Sequence, residues 1–332
     1  MYRYLEQWPR GTQNGWSEKL QGVCHDKDNW FFTQNGILWK FPVTHRLDNK
    51  VTSANPEKGI LRNKFGWHLG DLDYYNGYLF IPVTDNGPPY MAVFSAKDLS
   101  FITKHYMKDT RGDDYDGLGW CAINPRDGRL YTSGKHVNKW GNSVYVYDID
   151  FSAIKKNSVN QTKFLTLYAI MRLHDEKGNE LTRDHMQGGC FDNDNYLHIN
   201  NGLYGKDYGN DKGGISVFRV PDTIKKDQTY YLNRFARSYQ SGTFRYQFNG
   251  RWQEPEGITY WDLNKDTRAP GISGVLHAIM IDVDVSSADD FYFKHYELAA
   301  VPNVAPPAVG KIVEVGATVP TVGRSKSSSP GK

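Results

Sequence analysis

Cysteine is scarce: Cys24, Cys121 and Cys190 are the only three in 332 residues. An odd, sparse set argues against a disulfide framework, and without a Cys-x-x-Cys pair there is no zinc-ribbon or dithiol signal. No stretch approaches the run of about 18 apolar residues that reads as a membrane helix, so no membrane span is expected. The opening Met1-Tyr2-Arg3-Tyr4-Leu5-Glu6-Gln7-Trp8-Pro9 lacks the apolar core of a secretory signal. Three readings stay open: the sequence is that of a mature chain, the protein is cytoplasmic, or it is exported by a route without a classical signal. Charge of one sign is also missing. Forty Lys and Arg stand against 37 Asp and Glu, a net +3, too weak and too mixed for a nucleic-acid partner. No serine nucleophile elbow, phosphate loop or His-Glu-x-x-His motif is present.

Aromatics and turn formers are abundant. The chain carries 22 Tyr, 16 Phe, 9 Trp, 32 Gly and 15 Pro. Long helices tolerate Gly and Pro poorly, and aromatics favour strands, so the expected class is all-β. Five short segments repeat a common plan around Gly22, Gly70, Gly119, Gly188 and Gly257. A turn follows most of them at a near-constant offset: Asp26-Lys27-Asp28-Asn29, Asn76-Gly77, Asp127-Gly128 and Asp192-Asn193-Asp194-Asn195. Asn and Gly accept the left-handed backbone of tight hairpins. A second strand follows each turn (Trp30-Phe31-Phe32, Tyr78–Ile81, Arg129–Thr132, Tyr196–Ile199), then an alternating third, as in Met91–Phe94 and Gly214–Phe218. A fourth ends several repeats, as in Phe101–Tyr106 and Phe164–Tyr168.

Four strands per repeat of about 45 residues is the plan of a propeller blade. The reading is one closed β-propeller of five four-stranded blades over residues 1–300, with a sixth blade inside an insertion as the alternative. Insertions are expected near 150–184 and 221–253. Tyr2–Trp8 is expected to close the ring against Phe291–Tyr296. Residues 301–332, rich in Pro, Gly and Ser, read as a flexible tail.

Two strands carry a resemblance. Ser143-Val144-Tyr145-Val146-Tyr147-Asp148 resembles the V-x-V-x-D strand of bacterial surface-type propellers. Glu256-Gly257-Ile258-Thr259 is similar to the inner strand of calcium-dependent nucleotidases and of phytase- or lactonase-like propellers. The resemblance implies the architecture; it places no single family and transfers no catalytic residue.

Residues flanking the aligned glycines should ring the central axis. They include Gln21, His68, Asp71, Asp116, His185, Gln187, Glu254 and Glu256. Pooled imidazoles and carboxylates suit a divalent cation, Ca²⁺ or Mg²⁺. On this reading Asp71, Asp116, Glu254 and Glu256 are metal ligands, His68 and His185 general bases, and Gln21 and Gln187 substrate contacts. The function expected is a ligand-binding propeller, extended to a metal-assisted hydrolase or lyase on a small anionic or sugar-like substrate. The alternative is a non-catalytic propeller that recognises glycan or protein through Trp8, Trp16, Trp39, Trp67, Trp140 and Trp252. The plainer reading of the axial polar residues is that they cap turns and hold water. The cysteines, each two residues after its glycine, read as small buried packing residues. The acidic loop Asp109-Thr110-Arg111-Gly112-Asp113-Asp114-Tyr115-Asp116 reads as solvated or as a second Ca²⁺ candidate.

Overall fold

The computed structural model describes residues 2–12, 20–34, 36–48, 57–60, 68–84, 87–108, 117–134, 143–154, 162–181, 186–202, 214–235, 243–244, 253–264, 266–282 and 290–298. The predicted tail at 301–332 lies outside them. Five small antiparallel-type sheets make five blades. Blade 1 is β2 (Gly22–His25), β3 (Asn29–Gln34), β4 (Ile37–Pro42) and β5 (Glu57–Ile60). Blade 2 has an interrupted inner strand, β6 (His68–Leu69) and β7 (Asp73–Tyr75), followed by β8 (Tyr78–Thr84), β9 (Tyr90–Ser95) and β10 (Phe101–Tyr106). Blade 3 begins with β11 (Leu118–Ile123), β12 (Leu130–Gly134), β13 (Ser143–Ile149) and β14 (Leu165–His174). Blade 4 is β15 (Met186–Phe191), β16 (Tyr196–Asn201), β17 (Gly214–Arg219) and the two-residue β19 (Thr243–Phe244). Blade 5 is β20 (Gln253–Tyr260), β21 (Leu276–Asp282), β22 (Asp290–Leu298) and, outermost, the N-terminal β1 (Tyr2–Thr12).

The expected closure is therefore present, with Tyr4 opposite Tyr296 and Gln7 opposite Lys294. The hairpin chemistry also holds. Asn76 and Gly77 both have positive φ (51° and 85°) between the paired Tyr75 and Tyr78, the type I′ geometry that matches strand twist. Asn195 and Gly128 take the same left-handed region at φ 69° each.

The insertions resolve into one unexpected element. β18 (Gln228–Asn233) leaves blade 4 between β17 and β19 and adds, in parallel, to the outer edge of β14, so blade 3 has five strands. Its alternate residues Tyr230 and Leu232 are buried in one cluster with Met171, Leu173, Val144 and Leu197. The remaining clusters fill the spaces between neighbouring blades, for example Trp30, Phe32, Trp261 and Phe293 between blades 1 and 5. Among the described residues the only helical turn is a 3-10 segment, Phe151–Ala153, capped by the Asp150 carboxylate. No helix of the described residues is long and apolar enough to cross a membrane.

Candidate functional site

The axis is organised around one carboxylate. Asp71 sits in the break between β6 and β7 and is fully buried. Its Oδ1 accepts the Val23 N–H of blade 1 at 2.9 Å. Its Oδ2 accepts the Gly189 N–H of blade 4 at 3.0 Å and the Ile258 N–H of blade 5 at 3.2 Å. The Asp71 backbone engages blade 3, donating to Gly119 O at 2.8 Å and accepting from Cys121 N–H at 3.1 Å. One residue thus ties all five blades. Burial pushes its carboxyl well above the usual range, and the three N–H donors pull the other way.

The aligned glycines let the strands come this close. A Cβ on Gly257 would lie 2.6 Å from Asp71 Oδ1, and one on Gly188 would lie 2.5 Å from the Glu256 carbonyl. A Cβ on Gly189 would strike the Trp120 ring, whose Nε1 donates to Ser133 Oγ at 2.8 Å. At this level the axis is filled with protein.

The end at which the inner strands begin is polar. Gln21 Nε2 of blade 1 donates to Glu256 Oε1 of blade 5 at 3.1 Å. Gln187 Nε2 of blade 4 donates to Glu254 Oε1 of blade 5 at 2.9 Å. Three neighbouring blades therefore present two amide–carboxylate pairs. Gln21, Gln187 and Glu256 are buried, whereas Glu254 and His68 are partly exposed. Asn200, a polar residue inside the apolar strand β16, adds a third interblade tie through Nδ2 to Glu256 O at 2.7 Å. Its mark in the sequence is a polar amide two residues beyond His198, on the same strand face. Thr33 plays a comparable part, donating from Oγ1 to Gly70 O at 2.8 Å.

The cysteines pack apart from one another, each in a different apolar cluster between blades. Cys24, Cys121 and Cys190 are buried, free and in three different blades. Burial raises each thiol well above its usual value, and nearby Asp71 and Asp73 add to the shift. Such thiols are packing groups. Asp73 accepts Ile123 N–H at 2.6 Å and Tyr74 N–H at 2.7 Å, and burial pushes its carboxyl up to about 7.

Of the eight residues expected around the axis, Asp71 lies on it, and Gln21, Gln187, Glu254 and Glu256 meet as two pairs. His68 begins β6, opposite Thr84 of β8. Asp116, His185 and the acidic loop at 109–116 lie outside the described residues, as do Trp16, Trp67, Trp140 and Trp252. Trp39 is buried in the blade 1 cluster and Trp8 packs partly against it. Among the described residues no three His, Cys, Asp or Glu side chains gather to hold a metal ion.

No family model matches the chain, and no curated protein matches it. Solved structures align over most of its length at low identity. A functionally unknown protein from Desulfotomaculum acetoxidans is 14% identical, with TM-score 0.39, over 82% of this chain and 68% of that one. The PQQ-bound aldose sugar dehydrogenase of Streptomyces coelicolor is 8% identical, with TM-score 0.37, over 90% and 98%. The dihydro-heme d1 dehydrogenase NirN is 11% identical, with TM-score 0.36, over 83% of this chain; the chain spans less than half of that protein, 46%. The chain's own sheet order makes it a five-bladed β-propeller.

Proposed function

We propose that this propeller binds a small, hydroxyl-rich, sugar-like ligand at the polar end of its axis. The observation that carries the reading is the pairing of Gln187 with Glu254 and of Gln21 with Glu256 across three adjacent blades. Each amide fixes the orientation of its carboxylate. A carboxylate held this way accepts from hydroxyl groups without further ordering cost, the preorganisation that small-molecule sites use. Partly exposed Glu254 is the point of contact, with His68 at the start of blade 2.

The catalytic extension is a metal-assisted hydrolase or lyase. This extension assigns Glu254, Glu256 and Asp116 as ligands of a Ca²⁺ or Mg²⁺ and His68 and His185 as candidate bases. Asp71 is better suited to its backbone donors than to an ion, since both of its oxygens are taken.

Thermal melts with a panel of neutral monosaccharides and short oligosaccharides test the binding reading. A saturable rise in Tm is expected for at least one. Glu254→Gln should weaken its binding about tenfold, roughly the 1.4 kcal/mol of one lost charge-assisted hydrogen bond. Absence of a saturable shift across the panel, or equal binding by Glu254→Gln, overturns it. A melt raised by Ca²⁺ or Mg²⁺ and lowered by chelator would support the metal-assisted form.

A further inference from the structure

The closing blade carries a histidine pair. His277 on β21 and His295 on β22 face each other in register and are fully buried. Their Nδ1 atoms are 2.8 Å apart. His277 Nε2 lies 2.8 Å from the Trp261 carbonyl, and His295 Nε2 lies 2.8 Å from the Trp8 carbonyl of β1. A carbonyl oxygen only accepts, so each Nε2 must carry hydrogen. One hydrogen must also stand between the two Nδ1 atoms, or two lone pairs would meet. That makes three protons on two rings, one more than two neutral imidazoles hold. A fourth would set two N–H groups head-on.

The surroundings are largely aromatic. Trp30 of β3 meets His277 edge-on at 5.6 Å, and Phe293 lies 4.7 Å from His295. The nearby titratable groups come from several elements. His25 of β2 stacks on Trp261 at 4.2 Å. Asp262 follows Trp261, and Glu6 lies across the ladder from His295. Arg46 sits over Trp8 at 5.7 Å, and Lys294 adjoins His295 in sequence. Among the described residues neither ring has a hydrogen bond or ion pair to a carboxylate.

We propose that His277 and His295 form a one-proton latch that fastens the N-terminal strand to the closing blade, and that uptake of a second proton in acid opens it. Burial pushes both rings down, His295 to about 4, and for His277 the charge on His295 adds to the effect. The two carbonyl acceptors and the hydrogen shared between the Nδ1 atoms hold the first charge against this, so the titration belongs to the two rings together. The second charge meets burial and the charge already on the pair with no acceptor left, so its folded-state value lies below the unfolded histidine value of about 6.5, and the latch is lost as pH falls through it.

Amide hydrogen exchange on the full chain, corrected for the intrinsic effect of pH, tests the release. β1 is expected to be protected at neutral pH and to lose protection about tenfold or more near pH 4, while the β8–β9 ladder keeps its own. Nitrogen-15 NMR of histidine-labelled wild type should show, at neutral pH, one strongly downfield proton coupled to Nδ1 of both rings. The double variant His277→Gln, His295→Gln retains a donor for each carbonyl but cannot titrate, so its β1 protection should not respond to acid. If that variant does not fold, the two wild-type measurements decide. Absence of the shared proton, or loss of protection in β1 and β8–β9 together, overturns the latch.

Discussion

Asp73 shows how much one residue's surroundings decide. It is mostly buried, lies two positions from Asp71 and accepts two backbone N–H groups, which favour its charged form; burial outweighs them and pushes the carboxyl up to about 7. The folded protein therefore keeps a proton that the unfolded chain has already released above about 3.8. For a carboxyl raised in this way, the stabilising contribution is full below the unfolded value and fades as pH rises through about 7. A carboxyl-carbon NMR titration is expected to place Asp73 near 7, well apart from exposed aspartates such as Asp175, which the Asn179 amide holds below the usual range. A midpoint for Asp73 near 4 would show that its two N–H donors win over burial. At this scale the sequence was informative about identity more than role. The glycine alignment placed Asp71 at the axis, but nothing in one aspartate's neighbours announces that it accepts donors from blades 48, 118 and 187 residues away.

Among the elements, those with a local cause were legible. The Asn76-Gly77 turn, the apolar second strands and the alternating third strands of blades 2 to 4 follow from residues adjacent in the chain and lie where the pattern put them; the segment from Ala278, which alternates like a third strand, is the second strand of blade 5. The closure of β1 on β22 was legible for a different reason, because a ring of blades needs a partner for its last strand. β18 was not. Its parallel pairing with β14 joins Ala169 to Gln228 across most of blade 4, and a parallel neighbour needs no hairpin turn to mark it. Its short alternation, with Tyr230 and Leu232 inward, reads equally well as an outer strand of blade 4. Leu232→Ala should settle its role energetically. If β18 completes the blade 3 core, the cavity costs about 2–5 kcal/mol in denaturant unfolding and exchange accelerates in β14. A loss under about 0.5 kcal/mol, the range of surface changes, would make β18 an appendage.

Across the whole molecule, the blades differ in strand number and length, yet they share one fastening. Asp71 receives donors from blades 1, 4 and 5 and joins blade 3 through its backbone. Side chains on second strands supplement it, with Thr33 reaching Gly70 O and Asn200 reaching Glu256 O in the neighbouring blades. A ring held at its centre has a mechanical consequence: no blade can leave without breaking hydrogen bonds to Asp71. Unfolding of the wild type is therefore expected to be one transition, with far-UV circular dichroism and tryptophan fluorescence coincident, although chains of this length often unfold in steps. Asp71→Asn keeps the shape but turns one acceptor oxygen into an N–H donor facing backbone N–H groups. At least one of those groups is then buried without a partner. The cost should be about 3 kcal/mol or more, since hydrogen bonds to a charged group are lost and a donor is stranded. The two probes should also separate, because blades 1, 4 and 5 would no longer share a common acceptor. A variant that unfolds at the wild-type midpoint, or that is destabilised while its probes stay coincident, would show that cooperativity comes from the apolar clusters between blades and not from the central carboxylate.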